Sequence, residues 1–320
     1  MIVVTGGAGF IGSCIVARLN ALGHQDLIVV DHLNDFKKNN LKGKKFIQYF
    51  EKEEFLNVLM NDQVDAKVNC IIHMGACSST TLNDEAYFTE NNFEYSCVVA
   101  RWALRNDARL IYASSAATYG DGSLGYQDDE EAIRLLKPLN FYGESKQKFD
   151  EWVLNHQAFD KVTGLKFFNV FGPNEYHKGD MQSVVAKSYQ RLMRDGKMAL
   201  FKSYHPDYPD GEQRRDFIYI KDAVDIVMYF FDHPPINGLF NVGTGLARSW
   251  NDLARALFKA VNKSPVIEYM DMPETIKPRY QYFTQAQMQK LRKAGYSKPF
   301  TPLEDAVEDY AGYLRDQRYI

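Results

Sequence analysis

The chain has 320 residues, of which 45% are hydrophobic and 25% charged, and its formal net charge at neutral pH is -3. This length is enough for one large domain or two modest ones, each with its own core. The charge gives no electrostatic reason to expect a nucleic acid or an anionic membrane as a partner. No apolar run approaches membrane-spanning length.

The four cysteines, Cys14, Cys70, Cys77 and Cys97, lie in the first third of the chain and mostly within apolar runs. None has the spacing of a metal site, so we expect free, buried thiols and no metal ion. The first residues run directly into an apolar segment rather than a signal segment. Reduced thiols and the lack of a signal segment predict a cytoplasmic protein.

The chain begins with a pattern typical of dinucleotide-binding proteins. Ile2 to Thr5 predicts a strand, and the glycines Gly6, Gly9 and Gly12 follow at once, before an amphipathic helical pattern. A second apolar run ends on Asp31. Strand, glycine turn, helix, strand and acid form the Rossmann opening, in which the helix N-terminus receives a pyrophosphate. The glycine spacing is G-x-x-G-x-x-G.

The residues near Asp31 leave the choice of cofactor open. An acid at this place accepts hydrogen bonds from an adenosine ribose, which favours NAD. Lys37, Lys38 and Lys52 follow it, and their ammonium groups favour the 2′-phosphate of NADP. A solvated basic loop explains the lysines equally well.

Two further strands are predicted at residues 68–73 and 109–115, with a long helix between them at 87–105. The first strand leads into the small-residue loop Met74 to Ser78, which is where a Rossmann ligand lies. We interpret His73 as a structural histidine. The second strand ends in hydroxyl residues, including Ser115.

Tyr142 and Lys146 lie four residues apart in a predicted helix, so they share one face. A nearby ammonium should lower the pKa of a phenol towards the working range of an acid or base. The pair is therefore a candidate proton-transfer unit for an alcohol, with Ser115 as a third member. A Tyr-x-x-x-Lys pair alone is a weak motif, because chance gives about one in a chain this long.

The later chain continues the alternation of strands and helices. Strands are predicted at 165–169, 215–220 and 239–242, helices at 181–194, 250–261 and 303–314, and a polar loop at 203–214. No linker separates two domains, so a second lobe must be interleaved with the first. The fold class is α/β, a Rossmann-type doubly wound parallel sheet with a smaller substrate-binding α/β domain.

The glycine turn, Ser115, the Tyr142–Lys146 pair and Arg215-Asp216 together resemble the extended short-chain dehydrogenase/reductase family of nucleotide-sugar enzymes, over nearly the whole chain. The runs most similar to its ADP-heptose epimerase branch are Gly75–Thr81, Tyr112–Gly120, Phe168–Pro173, His177–Gly179 and Arg279–Ala286. The resemblance implies an isomerase that interconverts the C6″ epimers of ADP-heptose, a precursor of the lipopolysaccharide core, using bound NADP. It also implies a homo-oligomer, a pentamer.

The resemblance implies a set of site residues. Those that fall where the family binds NADP are Gly6, Gly9, Phe10, Ile11, Gly12, Asp31, His32, Lys38, Lys52, Met74, Gly75, Ala76, Cys77, Ser78, Asn91, Lys146, Val170 and Lys178. Those that fall where it binds the sugar nucleotide are Ser115, Asn169, Asp180, Lys187, Phe201, Lys202, Ser203, Tyr204, Arg215 and Tyr280. Met74, Asp180, Lys187 and the longer 203–214 loop depart from the family pattern. The implied domains are residues 1–168 with about 215–243 for NADP, and about 169–214 with 244–320 mainly for substrate.

An alcohol carbon has no acidic C–H, so a change of its configuration requires oxidation and re-reduction rather than direct deprotonation. The oxygen must exchange its proton in two orientations, which requires one group that serves both or two that divide the work. The resemblance implies that Lys178 is the second group beside Tyr142.

Three other functions remain open. A UDP-galactose 4-epimerase is the nearest rival. A dehydratase is further away, because it carries acids where this chain has Ala116 and Ala117. A non-catalytic NADP sensor need not keep Tyr142, Lys146 and Lys178 together.

Overall fold

The computed structural model describes residues 1–64, 67–274 and 276–320, and it confirms the predicted Rossmann-type α/β class. The strands are β1 Ile2–Thr5, β2 Leu27–Asp31, β3 Gln48–Glu51, β4 Cys70–His73, β5 Arg109–Ser115, β6 Val162–Phe167, β7 Asn169–Phe171, β8 Met198–Phe201, β9 Arg214–Tyr219, β10 Gly238–Val242, β11 Ala247–Ser249 and β12 Ile267–Met270. The helices are α1 Phe10–Ala21, α2 Asp35–Leu41, α3 Lys52–Met60, α4 Glu85–Phe88, α5 Tyr95–Arg105, α6 Phe141–Asn155, α7 Val184–Asp195, α8 Ile220–Asp232, α9 Trp250–Ala260, α10 Gln289–Lys293 and α11 Leu303–Asp316.

The main sheet has seven parallel strands in the order β10-β6-β5-β4-β1-β2-β3. Its central strands are fully buried, which explains their near-continuous apolar runs. The strand order reverses between β1 and β4. In such sheets ligands bind outside the carboxyl ends of the strands at this switch point.

Two predicted elements are divided in the structure. The helix predicted at 87–105 consists of α4, a π-helical turn at Thr89–Glu94, and α5. The strand predicted at 165–169 breaks at Phe168, so that β6 belongs to the main sheet while β7 pairs with β9 in a smaller one. The apolar pattern identified both stretches correctly, but it does not show a π turn or a change of sheet.

Several elements were not predicted. Helix α8 packs on α1 below the glycine turn and contributes a buried apolar face. Strands β8 and β12 are short and partly exposed, and they form a separate two-stranded sheet. Short strands with one solvated face carry a weak signal in the sequence, because few of their residues are committed to a core.

The smaller sheets lie in the later part of the chain. The three-stranded sheet has the order β11-β9-β7, with β9 antiparallel to β11. Strand β10 returns to the main sheet beside β6. The chain thus passes more than once between the large sheet and the smaller ones, and the two-domain division stays a prediction. No helix in the described residues is long and apolar enough to cross a membrane.

Candidate functional site

A cavity of about 740 Å³ opens at the carboxyl ends of β1, β4 and β5, beside the switch point. Most residues implied for the cofactor, and all four implied for catalysis, line it. They are Gly6, Gly9, Phe10, Ile11, Gly12, Asp31, His32, Lys52, Met74, Gly75, Ala76, Cys77, Ser78, Asn91, Ser115, Tyr142, Lys146, Val170 and Lys178. Asn169 and Asp180 line it as well.

The glycine turn is shaped by close backbone contacts. Gly6 has φ 66°, in the left-handed region that glycine tolerates. A Cβ added at Gly12 would lie 2.1 Å from the Gly6 carbonyl oxygen, so only glycine fits there. Helix α1 begins immediately afterwards, and its first residues line the cavity. The N–H groups and dipole of this helix end fit the pyrophosphate of a dinucleotide.

The Asp31 carboxylate, at the end of β2, is buried and accepts hydrogen bonds from three groups of the protein. One oxygen accepts hydrogen bonds from the Ala8 N–H at 2.9 Å, and the other from the His32 N–H and the Lys37 ammonium, each at 2.7 Å. Lys37 lines the cavity. The adenosine-ribose end of the cavity therefore has an acid whose charge is balanced by a lysine.

The other two lysines near this end have different surroundings. Lys52 lines the cavity, where its ammonium contacts the side chain of Asn91 in the π-helical turn. Lys38 is exposed and pairs with Asp35 at 2.7 Å, outside the cavity lining. Of the adjacent pair, the structure thus directs Lys37, rather than Lys38, into the cavity.

Tyr142 is the second residue of α6, and its side chain is half-buried in the cavity, close to Ser115. Burial raises the pKa of Tyr142, and hydrogen bonding with Ser115 opposes this shift. The prediction that Lys146 lowers the pKa of this phenol is wrong for the protein without bound cofactor or substrate. The reason is that desolvation of the phenolate is the larger effect, whereas Lys146 is directed elsewhere.

Lys146 is buried, and its ammonium donates to the Ala113 carbonyl on β5 at 2.8 Å. Burial lowers its pKa to about 8, and the charge of Asp150 opposes this. Asp150 lies one turn further along α6 and accepts from Tyr112, Ser114 and Lys166 at 2.9, 2.7 and 2.8 Å. The helix face of Lys146 is thereby fixed to the end of β5.

Lys178 approaches the cavity from another side, on the 3₁₀ turn Tyr176–Met181. Its ammonium lies 5.1 Å from the centre of the Phe10 ring, at the start of α1. Burial lowers the pKa of Lys178; the charge of Glu175 opposes the shift and that of Lys187 adds to it. A lysine whose pKa is lowered in this way can act as an acid or base.

The remaining residues implied for substrate do not line the cavity. Arg215 is buried, and its guanidinium carbon lies 5.1 Å from the Tyr280 ring centre and 5.7 Å from that of Trp250. Trp250 donates to the Tyr280 hydroxyl at 2.9 Å and itself lines the cavity. Arg215 and Tyr280 therefore lie behind one cavity wall.

The segment from Phe201 to Tyr204 begins the polar 203–214 loop. The Ser203 N–H donates to Asp210 at 2.6 Å, and Lys202 pairs with Asp271 at 3.2 Å. Tyr204 is exposed, with the Lys277 ammonium 4.2 Å from its ring centre. Lys187 is exposed on α7.

The residues of the site that were missed or left unassigned include Asn92, His177, Lys37 and Trp250. Asn92, buried in the π-helical turn, bonds both backbone groups of Cys77 at 2.8 and 2.9 Å, and donates to Ser145 at 2.9 Å. It thus holds the small-residue loop against α6. His177 lines the cavity, and Lys37 was named without being placed. The only sequence feature that indicated His177 was the run His177-Lys178-Gly179. No pattern in the residues around Asn92 indicated that it belongs to the site.

His73 has a structural role. His73 is buried between Thr5 and Ser96, at 2.5 and 2.9 Å, and burial lowers its pKa to about 3. It therefore stays neutral and links β1 to α5. The cysteines are free, and Cys77 is only half-buried where it lines the cavity. In the described residues no three His, Cys, Asp or Glu side chains cluster as metal ligands.

A Rossmann sheet, a glycine turn and a Ser-Tyr-Lys group in one cavity define a nicotinamide-dependent enzyme that acts on an alcohol. Residues 2–243 match the NAD dependent epimerase/dehydratase family, and the chain belongs to that family. The site accordingly takes a nicotinamide dinucleotide.

Among the relatives, an ADP-L-glycero-D-manno-heptose-6-epimerase of Nitratidesulfovibrio vulgaris is 50% identical, over 97% of this chain and 96% of its own length. One of Fusobacterium nucleatum is 43% identical over the same shares. The solved Helicobacter pylori ADP-L-glycero-D-manno-heptose-6-epimerase is 26% identical with a TM-score of 0.80, covering 98% of this chain and 96% of the other. A Thermus thermophilus UDP-glucose 4-epimerase solved with NAD, at 23% identity, TM-score 0.78 and 98% of both chains, shares the fold.

Proposed function

We propose that the protein interconverts ADP-D-glycero-D-manno-heptose and ADP-L-glycero-D-manno-heptose through a transient 6″-keto intermediate, with NADP as cofactor. The observation that carries the proposal is that Tyr142 and Lys178 line the same cavity from different elements, beside a glycine turn. A one-way dehydrogenase needs one such proton-transfer group. The identities of 50% and 43% with enzymes of this name support the substrate.

The glycine turn and Lys146 would hold the nicotinamide cofactor, which would supply a hydride acceptor and donor for the change of configuration at C6″. The chain supplies the proton transfers. Tyr142 and Lys178 exchange the hydroxyl proton in the two orientations of the oxygen, one as base and the other as acid. Ser115 donates to the reacting oxygen and hydrogen-bonds the phenol. Lys146 holds the nicotinamide ribose from its fixed position on α6.

We assign the sugar to Asn169 and Asp180, which line the cavity, and the ADP group to Arg215 and Tyr280, which lie behind the wall that Trp250 forms. Arg215 is a buried cation, and burial lowers its pKa. Its position between Tyr280 and Trp250 suits a diphosphate and an adenine ring. Phe201 to Tyr204 and Lys187 complete the proposed substrate set. The boundaries of this substrate domain, about 169–214 and 244–320, are part of the same proposal.

We propose NADP rather than NAD because of the charges around Asp31. Its two oxygens already accept from Ala8, His32 and Lys37, so it is poorly placed to receive two ribose hydroxyls. Lys37 and Lys52 both line the cavity and offer cations to a 2′-phosphate.

Titration of the cofactor-free protein with NADP and with NAD tests this choice. We expect NADP to bind more tightly than NAD. Lys37→Met should reduce the ratio of the two affinities about tenfold, because one charged contact contributes about 1.4 kcal/mol. Lys38→Met decides between the two neighbouring lysines. A larger loss in that variant would transfer the phosphate contact to Lys38, and equal binding of both cofactors would refute NADP.

The activity is tested with the purified protein and ADP-D-glycero-D-manno-heptose, with the C6″ configuration followed by NMR. We expect an equilibrium mixture of both epimers without added reductant. Tyr142→Phe should slow its formation about 10³-fold, since it removes one acid/base group, while the cofactor remains bound. Turnover of UDP-galactose with no change at C6″ would refute the proposed substrate.

We also propose a cytoplasmic homo-oligomer, a pentamer. The location is supported by the four free cysteines in the described residues, and the pentamer by the resemblance to the family alone. Light scattering on the eluate of a sizing column measures the mass, and a value of one 36.8 kDa chain would exclude any oligomer.

A further inference from the structure

Lys178 lies on a short turn rather than inside a helix, so something else must fix its position. Within the turn Gly179 has φ 50°, in the left-handed region. The turn lies between β7 and α7, and Ser183 is the N-cap of α7. The carbonyl of Glu175 accepts from the Lys178 N–H at 3.0 Å at the start of the turn.

The side chain of Glu175 is completely buried beneath this turn. One of its oxygens accepts from the Ser183 N–H at 2.7 Å, and the other from the Ser183 hydroxyl at 2.6 Å and the Gly172 N–H at 3.4 Å. These bonds join the two ends of the segment that carries Lys178. Burial raises the pKa of Glu175, and the charge of Lys178 and the hydrogen bonds from Ser183 oppose that shift because they favour the ionised carboxylate.

The charges around Lys178 are few. Glu175 is the nearby acid, Lys187 on α7 is a second cation, and the aromatic ring of Phe10 on α1 carries no charge. The adjacent His177 has a pKa lowered to about 4, by burial and by Lys37 and Lys178, so it is neutral. Asp180 is exposed at the far end of the turn. Because the oxygens of Glu175 are occupied by other donors, it acts on Lys178 through space.

We infer that Glu175 is a positioning residue for the second acid/base group: its buried carboxylate closes the turn that presents Lys178 and stabilises the protonated form of that lysine. The inference rests on the proposed function, in which Lys178 must hold a proton in one direction of the reaction and lack it in the other. Burial and Lys187 both favour loss of that proton, and Glu175 opposes them.

The test measures the pKa of Lys178 directly, without substrate, so that it succeeds or fails independently of the proposed activity. The purified protein is acetylated with trace acetic anhydride across a pH series, and the Lys178 peptide is quantified by mass spectrometry. Glu175→Gln should lower the pKa of Lys178 by about one unit or more, because the opposing charge is lost. An unchanged pKa overturns the inference.

Two variants separate charge from packing. Glu175→Asp keeps the charge but shortens its reach to Ser183. Ser183→Ala removes the hydroxyl that bonds to Glu175 and to the Ala186 N–H, and it leaves the carboxylate in place. Both should keep the pKa of Lys178 closer to the wild-type value than Glu175→Gln does. A shift in both as large as that of Glu175→Gln would show that only the shape of the turn matters.

The reciprocal measurement does not require Glu175→Gln to fold. Coupling between two charges is mutual, so Lys178→Met should raise the pKa of Glu175. The infrared band of a protonated, buried carboxyl should then appear at a higher pH than in the wild type. Appearance of that band at the same pH in both proteins would also overturn the inference.

Discussion

The two lysines of the cavity, Lys146 and Lys178, are held in contrasting ways. Lys146 lies in the interior of the 15-residue helix α6, is 5% exposed, and donates to the Ala113 carbonyl at 2.8 Å. Lys178 lies on a six-residue turn, is half-buried, and has its ammonium 5.1 Å from the centre of the Phe10 ring. Lys146 is therefore held in place by helix α6 and its hydrogen bond, whereas the ammonium of Lys178 is available to contact a substrate.

Each lysine nevertheless has a completely buried acid within one turn of it. Asp150 follows Lys146 by four residues, and Glu175 precedes Lys178 by three. Burial lowers the pKa of both lysines, and in each case the acid opposes the shift. Both ammonium groups therefore have a nearby opposite charge. The two lysines differ in how tightly the ammonium is held, which suits Lys146 to hold the cofactor and Lys178 to transfer protons.

Lys178→Met gives the largest effect that we expect. Loss of one of two acid/base groups should slow epimerisation about 10³-fold, while the cofactor stays bound because the glycine turn and Lys146 are intact. Lys148→Met, which removes a surface cation paired with Glu85, is the matched control and should keep the wild-type rate. The rate is measured by NMR at C6″ and the cofactor by absorbance of the released nucleotide. Near-normal activity of Lys178→Met would refute the assignment.

Asp150→Asn tests the support beneath Lys146. The carboxylate accepts from Lys166 at 2.8 Å, and both side chains are buried. The variant would leave Lys166 as an uncompensated buried charge, which costs about 3–5 kcal/mol of the free energy of unfolding. The exposed pair Lys38–Asp35 has nearly the same N–O distance, 2.7 Å, yet Asp35→Asn should leave urea unfolding unchanged. Equal midpoints for the two variants would show that burial does not strengthen the first pair.

How much of this the sequence could predict depends on the distance along the chain between interacting residues. The glycine turn, the strand ends and Tyr142 with Lys146 are local patterns, and the structure brings them into one cavity. Glu175 depends on Ser183 eight residues later, and Asp150 of helix α6 depends on Lys166 of strand β6. Such pairs carry no periodic signal, because their geometry exists only after the sheet and helices have packed.

The two ends of the cavity illustrate the same point. On the cofactor side, nearly all implied residues line the cavity. On the substrate side, Arg215 and Tyr280 come together through Trp250, which the sequence did not single out. The polar segment 203–214 is folded by bonds to residues as distant as Tyr282, since Tyr204 N–H donates to the Tyr282 hydroxyl at 3.3 Å. Loop residues with such remote partners cannot be placed from their own neighbours.

Lys146→Met should affect the cofactor as well as the rate. The ammonium on the cofactor side is lost, so we expect about 10²-fold weaker NADP binding and a comparable loss of rate, the value of a charged hydrogen bond or two. Lys148→Met, on the same helix but facing Glu85 on the surface, is the control and should behave as the wild type. If Lys146→Met kept full affinity for the cofactor, Lys146 would not be the lysine that holds the cofactor, and its role would not differ from that of Lys178 in this respect.

The smallest effect is a pH dependence specific to Lys146. Its pKa is lowered to about 8, so its ammonium is lost as the pH rises through that value. NADP binding should therefore weaken about tenfold between pH 7 and pH 9, since roughly one molecule in ten is still protonated one unit above the pKa. Lys146→Arg keeps its charge over this range and should lose the pH dependence.

The free energy of unfolding should respond to the same proton in the opposite direction. An unfolded lysine keeps its proton up to its ordinary value of 10.5, whereas Lys146 releases it near 8. Between these values the unfolded state binds more protons, so the contribution of Lys146 to stability rises with pH while cofactor affinity falls. Urea unfolding of the wild type and Lys146→Met at pH 7.5 and 9.5 isolates this contribution. If the difference between the two proteins were independent of pH, the Lys146 pKa would not be lowered, and its ammonium would be as well solvated as one on the surface.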